Sequence, residues 1–168
     1  MPSDSFYVTT PIYYVNDRPH IGHAYTTILA DVVARRRRQE GDETRFLTGT
    51  DEHGAKVVQA AAAREVEPKA HVDAMAGEWR AAWDALDIRY DRFIRTTDPD
   101  HVAVVQAALA ALKAGTPPAG RPLLYQDAYT GWYCVSDERY WTEKDIGEGR
   151  ACPICGKPVT YVEEKNYF

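Results

Sequence analysis

Apolar positions in this chain recur with two periods, and the switches between them mark out its elements. Phe6-Tyr7-Val8-Thr9-Thr10 is a short β-prone run that reads as a buried strand. Pro11 and then Asn16-Asp17-Arg18-Pro19 force a loop. A helix begins near Gly22, with Ala24, Ile28, Leu29, Val32 and Val33 as its apolar stripe and Gly41 as its stop. Thr44 to Thr48 reads as a second strand, Gly49 to Gly54 as a turn, and Ala55 to Arg64 as a helix. Pro68 suits the first turn of a further helix, whose Val72, Met75, Trp79, Trp83 and Leu86 form a core stripe. Arg92 to Thr96 predicts a third strand, and Asp98-Pro99 opens a helix carrying Val102, Val105, Leu109 and Leu112.

Strands alternating with helices predict parallel pairing through right-handed crossovers. The fold class is therefore α/β: the first half of a Rossmann-like doubly wound parallel sheet. The pattern changes at Gly115-Thr116-Pro117-Pro118-Ala119-Gly120, which places a boundary between residues 1–115 and 116–168. Beyond it come short Tyr- and Trp-rich runs, turn residues and all the cysteines, a small β-rich insertion of zinc-knuckle type.

Composition narrows the class. The chain has 168 residues, 45% hydrophobic and 11% aromatic, enough for a real core. It has no run near the roughly 18 apolar residues of a membrane span. Its start, Met1-Pro2-Ser3-Asp4-Ser5, lacks the basic and apolar parts of a signal peptide, so a cytoplasmic protein is expected. The net charge of -5 argues against a dedicated nucleic-acid module, though not against one local contact face. Arg35 to Arg38 fall near a predicted helix end, where cations complement the dipole; that reading is preferred to a tRNA-binding patch. The 3 cysteines cannot all pair with one another, and their clustering points to metal.

Two places carry chemistry. His20-Ile21-Gly22-His23 joins the first strand to the first helix, with both imidazoles on one face of the helix start. Free N–H groups and partial positive charge at that terminus suit phosphate, and Gly22 lets a flat base or ribose approach the backbone. The bland alternative is a pair of surface histidines at a cap. Cys152-Pro153-Ile154-Cys155-Gly156 places two thiols at the spacing of tetrahedral zinc, and Cys134-Val135-Ser136-Asp137 offers a thiol and a carboxylate at the same spacing. A Cys3Asp zinc site, a weaker site closed by water and a metal-free knuckle all remain open; Cys134 alone could be a core thiol.

The segment from Pro11 to Thr27 resembles the signature of class I aminoacyl-tRNA synthetases in their methionyl form. Phe46-Leu47-Thr48-Gly49-Thr50-Asp51-Glu52-His53-Gly54 is similar to that family's second-strand block, and Phe93 to Thr97 also looks methionyl-like. The resemblance covers nearly the whole chain. It implies a methionine--tRNA ligase: ATP, with Mg2+, activates methionine to methionyl-adenylate, and the methionyl group passes to tRNA(Met). It also implies roles. His20 and His23 would be catalytic, contacting ATP phosphates; Gly22 would pack under adenine; Asp51 would hold the methionine amino group; Ile12 and Tyr14 would line the methionine pocket. His53 would sit nearby. Read without the family, Asp51 is an N-cap, and Ile12 and Tyr14 are loop anchors. Residues 116–168 would be the connective-peptide insertion, in which the family often carries four soft ligands; here Asp137 stands where a second cysteine is common.

The family's second ATP motif, a Lys-Met-Ser-Lys-Ser type loop, and its anticodon-binding domain are not in this sequence. Two expectations follow: a portion of a longer enzyme, with the remainder of the synthetase chain as partner and little activity alone, or a truncated paralogue that binds methionine, nucleotide or a protein. Another nucleotidyl transferase with the same histidine loop would need neither Asp51 in its block nor the cysteines.

Overall fold

Three parallel strands meet on one central strand in the computed structural model, which describes residues 4–115, 117 and 120–168. Within the predicted boundary segment, Thr116, Pro118 and Ala119 lie outside the described residues, as do Met1, Pro2 and Ser3 of the N-terminal segment. Strand β1 (Ser5–Thr9) is followed by β2 (Tyr13–Tyr14), helix α1 (Ile21–Glu40) and the central β3 (Glu43–Asp51). Helices α2 (Ala55–Ala63) and α3 (Pro68–Ala85) lead to β4 (Arg92–Arg95) and α4 (Pro99–Ala114). β1 pairs with Glu43 to Leu47 and β2 with Thr50 and Asp51, while β4 pairs with Leu47 to Thr50, all parallel. Because β4 occupies one edge of β3, β1 and β2 lie in line along the other.

Alternation along β3 buries Thr44, Phe46, Thr48 and Thr50 on the helix-covered face. Trp79, Trp83 and Met75 of α3 pack there with Tyr13, Val15 and Phe46. Gly49 is required: a Cβ there would lie 1.9 Å from the Ile94 carbonyl oxygen.

One expectation about a helix face is corrected. On α1, Ile28, Leu29, Val32 and Val33 are 40% to 56% exposed, and the buried face is Thr27, Ala30, Asp31 and Ala34. Polar anchors choose that face. Tyr13 and Thr27 share a 2.9 Å hydroxyl bond, and the Arg89 amide donates to Asp31 at 2.9 Å. Small residues beside them let the helix approach closely. On α4, Val102, Val105, Leu109 and Leu112 are all exposed, and no residue is buried. Leu86 of α3 is exposed too. Each member of the arginine run has an acidic partner: Arg35 pairs with Asp31, Arg36 with Glu40, Arg37 with Asp42 and, across the fold, Arg38 with Asp91.

The chain divides into two compact units, one ending at Ala103 and the other beginning at Val104. The second holds an antiparallel sheet of β5 (Gln126–Cys134), β6 (Arg139–Trp141) and β7 (Thr160–Tyr167), with β5 central, and the one-turn helix α5 (Glu143–Ile146). Its buried cluster is small: Cys134, Ile146, Cys152 and Val159. No helix among the described residues is long and apolar enough to cross a membrane.

Candidate active site

His20 is the N-cap of α1, whose first residue, Ile21, lies one before the Gly22 start read from the sequence. Its Nδ1 accepts from the Gly22 amide at 3.1 Å, and His23 Nδ1 accepts from the His20 amide at 3.3 Å. The two imidazoles thus form a reciprocal capping box, satisfying amides that a helix start leaves orphaned. A neutral imidazole that accepts at Nδ1 carries its proton at Nε2. Both rings therefore keep an Nε2–H donor for another partner. The rings stack with centroids 3.6 Å apart. His23 also rests against Tyr13 at 4.9 Å and Trp79 at 4.8 Å. Burial, and then the charge of His20, lower its pKa and favour the neutral ring. Gly22 seats the His20 ring: a Cβ there would meet its Cε1 at 3.0 Å.

Tyr13 links this loop to the sheet edge. Its Cα pairs with Thr50, and that of Tyr14 with Asp51. Asp51 is the last residue of β3, which runs three residues beyond the predicted strand and places the carboxylate at the carboxyl end, where open α/β sheets bind ligands. Asp51 caps no helix; the N-cap of α2 is Gly54. Strand alternation puts Asp51 on the face of Tyr14, and Thr50 on that of Tyr13. His23, packed on Tyr13 with His20 stacked against it, and Asp51 therefore lie at one carboxyl edge, toward its two faces. Ile12 and Tyr14 are exposed beside it. His53 is exposed as well, on the rim of a cavity of about 200 Å³ with Glu52, Pro68, Lys69, Val72 and Thr97.

A buried polar network beneath Asp51 was not anticipated. Glu52 is 4% exposed. Arg95 reaches its two oxygens at 2.7 and 2.9 Å, the Thr50 hydroxyl donates to Oε1 at 2.7 Å, and the Thr97 hydroxyl donates to Oε2. Arg95 also reaches Asp73 of α3 at 2.6 Å, and its partners, Glu52 first, raise its pKa. The sequence signal was present as Thr50-x-Glu52 and Arg95-x-Thr97: opposite charges beside hydroxyls at two adjoining strand ends. His71 was missed too. Buried on α3, it bonds through Nε2 to the Val15 carbonyl at 2.8 Å and so ties down the segment after β2.

In the second unit, the four cysteine-loop residues converge. Single ligand atoms of Cys134, Asp137, Cys152 and Cys155 lie within 4.8 Å of one another. Cys134 Sγ is 3.6 Å from Cys155 Sγ and 3.5 Å from Asp137 Oδ2; Cys152 Sγ is 2.9 Å from the same oxygen. Bonds of about 2.3 Å to sulfur and about 2.0 Å to oxygen set the ligand atoms of tetrahedral zinc roughly 3.5 Å (sulfur to oxygen) or roughly 3.8 Å (sulfur to sulfur) apart. The two Cys134 distances fit, the 2.9 Å contact of Cys152 is shorter and would open around an ion, and the cluster is compatible with zinc. Gly156, at φ 70°, closes the knuckle by donating to the Cys152 carbonyl at 2.9 Å. Hydrogen bonds from the thiols, Cys152 first, hold the Asp137 carboxyl below its usual range. The Asp137 carboxylate in turn pushes the Cys155 thiol up to about 11.

A parallel sheet with paired histidines opening its first helix and a carboxylate at its central strand tip defines the class. The chain belongs to the class I tRNA synthetases: residues 6–166 match the family model described as tRNA synthetases class I (M). Within that class, methionine--tRNA ligases are among its relatives. That of Thermotoga maritima is 49% identical over 97% of this chain and 25% of its own length. The chloroplastic/mitochondrial one of Arabidopsis thaliana is 45% identical over 98% of this chain and 26% of its own. Mycobacterium tuberculosis methionyl-tRNA synthetase, solved in complex with methionyl-adenylate, superposes with a TM-score of 0.85 at 44% identity, over 98% of this chain and 32% of that one. The chain thus spans about a quarter of the length of the curated relatives it matches.

Proposed function

We propose that this chain provides the methionine- and ATP-binding part of a cytoplasmic methionine--tRNA ligase, which forms methionyl-adenylate and then charges tRNA(Met). The observation that carries the reading is the histidine capping box, with its two free Nε2–H donors, on the same sheet edge as Asp51. Asp51 holds the methionine ammonium, and Ile12 and Tyr14 line the methionine pocket. His20 and His23 donate to the phosphates of Mg2+-bound ATP, and adenine packs over Gly22. The methionine carboxylate attacks the α-phosphorus, a P–O bond forms, and pyrophosphate leaves with the electrons of the bond that breaks. No general base is needed, because the nucleophile is already ionised. The protein supplies positioning and donors where charge develops. Residues 1–115 carry these groups, and residues 116–168 form the connective-peptide insertion. There Cys134, Asp137, Cys152 and Cys155 hold a zinc ion whose role is structural, since four protein ligands leave no open position.

Methionine-dependent ATP–pyrophosphate exchange tests this. A full-length ligase carrying this segment is expected to exchange with methionine and not with leucine or valine, and this chain alone to give little or no exchange. Exchange indifferent to which amino acid is supplied would overturn the assignment.

A further inference from the structure

Glu52 poses a question that the proposed chemistry leaves unanswered. A carboxylate whose side chain is 0% exposed is an expensive group to place one residue from a substrate-binding acid. Each of its oxygens is satisfied. Oε1 takes Arg95 Nε at 2.7 Å and the Thr50 hydroxyl at 2.7 Å; Oε2 takes Arg95 Nη2 at 2.9 Å and the Thr97 hydroxyl. Buried ion pairs of this kind add little net stability over an apolar pair of equal volume, so stability is a weak reason to build one. Their better-attested use is to fix one arrangement among several.

The bonds around Asp51 show what is fixed. The peptide before it is held where Thr96 N–H donates to the Thr50 carbonyl at 3.2 Å. The peptide after it is held where Glu52 N–H donates to Thr96 Oγ1 at 2.9 Å. Asp51 is the terminal residue of β3, a place where strands otherwise fray, and both flanking peptides are pinned to the end of β4. Arg95 extends the brace to α3 through Asp73 at 2.6 Å and anchors its own turn where its amide donates to Asp98 at 3.0 Å. A binding carboxylate must be held to within about half an ångström to discriminate ligands. Here the strand tip is held by a buried charge pair reaching three elements.

We infer that Glu52 and Arg95 are positioning residues for substrate selection: their buried pair aims Asp51 at the ammonium of the amino acid. The inference rests on the reading of Asp51 as the ammonium's partner. Both Glu52 oxygens are already taken by protein donors, so in this inference the pair acts through Asp51.

The test separates aiming from general support. In a full-length ligase carrying this segment, inhibition constants are measured for methioninol, which keeps the ammonium, and for desamino-methionine, which lacks it. Asp51→Asn serves as the reference and Glu52→Gln as the probe. Glu52→Gln keeps the volume and loses the charge; it is expected to weaken methioninol about tenfold while desamino-methionine stays within about twofold. The KM for ATP should stay within about twofold as well. Equal weakening of both inhibitors, or of neither, by Glu52→Gln while Asp51→Asn affects methioninol alone would overturn the positioning role and leave the Asp51 reading intact. If Asp51→Asn itself fails to distinguish the two inhibitors, the Asp51 reading falls first, and the inference with it. Should Glu52→Gln not melt cooperatively, Thr97→Val, which removes one hydroxyl at constant volume, replaces it with the same expected direction and a smaller ratio.

Discussion

The two units hold themselves together by different means. In the first, Trp79, Trp83, Phe46 and Met75 are fully buried side chains in one continuous core. Each is worth about 1.5–3 kcal/mol relative to an exposed position. In the second, the fully buried side chains among the described residues are Cys134 and Cys152, with Ile146 and Val159 beside them. Two of those four cluster members are candidate metal ligands. The first unit is held chiefly by apolar packing, with buried polar anchors such as Tyr13–Thr27 and Asp31 setting which helix face packs. The second spends its polar groups on cohesion.

The strongest way to break that contrast is to withhold metal. Structural zinc in small knuckles contributes an apparent ~10–16 kcal/mol near neutral pH. Chelation, or Cys155→Ser, should therefore erase amide protection in β5, β6 and β7 while α1 and α3 stay protected, as read by hydrogen exchange. The metal's hold should also weaken as pH falls. Thiols must lose protons to bind, and the Asp137 carboxylate pushes Cys155 up to about 11, so acid favours the protonated, metal-free cluster. Uniform loss of protection in both units, or zinc content indifferent to Cys155→Ser, would contradict the contrast.

A smaller effect sharpens the account of the first unit. Thr27→Val removes the partner of the Tyr13 hydroxyl and should cost about 1–3 kcal/mol in denaturant unfolding. Val32→Ser, on the outer side of α1, should cost less, about 1 kcal/mol or under, because Val32 is 56% exposed. The reverse ranking would restore the apolar stripe as the packed face.

That pair also shows where sequence reading ends. The order of the longer elements, the parallel sheet and the histidine loop were legible because they rest on local signals: β-prone runs, helix stops and residue spacing. The same was true of the four convergent cysteine-loop residues. The packed face of α1 was not legible. Thr27 and Asp31 count as polar in any hydrophobic pattern, yet Tyr13 and the Arg89 amide, far off in sequence, turn them inward. Strand β2 escaped because Pro11 and the turn residues around it mask a two-residue pairing that only β3 makes possible. Glu52 escaped for a similar reason. An acidic residue in a turn reads as solvated until Arg95 is known to end the adjoining strand.

The most direct test of the central claim measures how two changes divide between KM and kcat in methionine-dependent exchange, again in a full-length ligase carrying this segment. His23→Asn removes an Nε2–H donor that acts on developing phosphate charge, so kcat should fall about 10²–10³-fold with little change in the KM for methionine. Asp51→Asn removes the ammonium's partner, so the KM for methionine should rise about a hundredfold while that for ATP holds. If both variants instead lower kcat and raise both KM values alike, the histidine loop and Asp51 are not dividing phosphate and ammonium between them, and the shared site at the sheet edge is refuted.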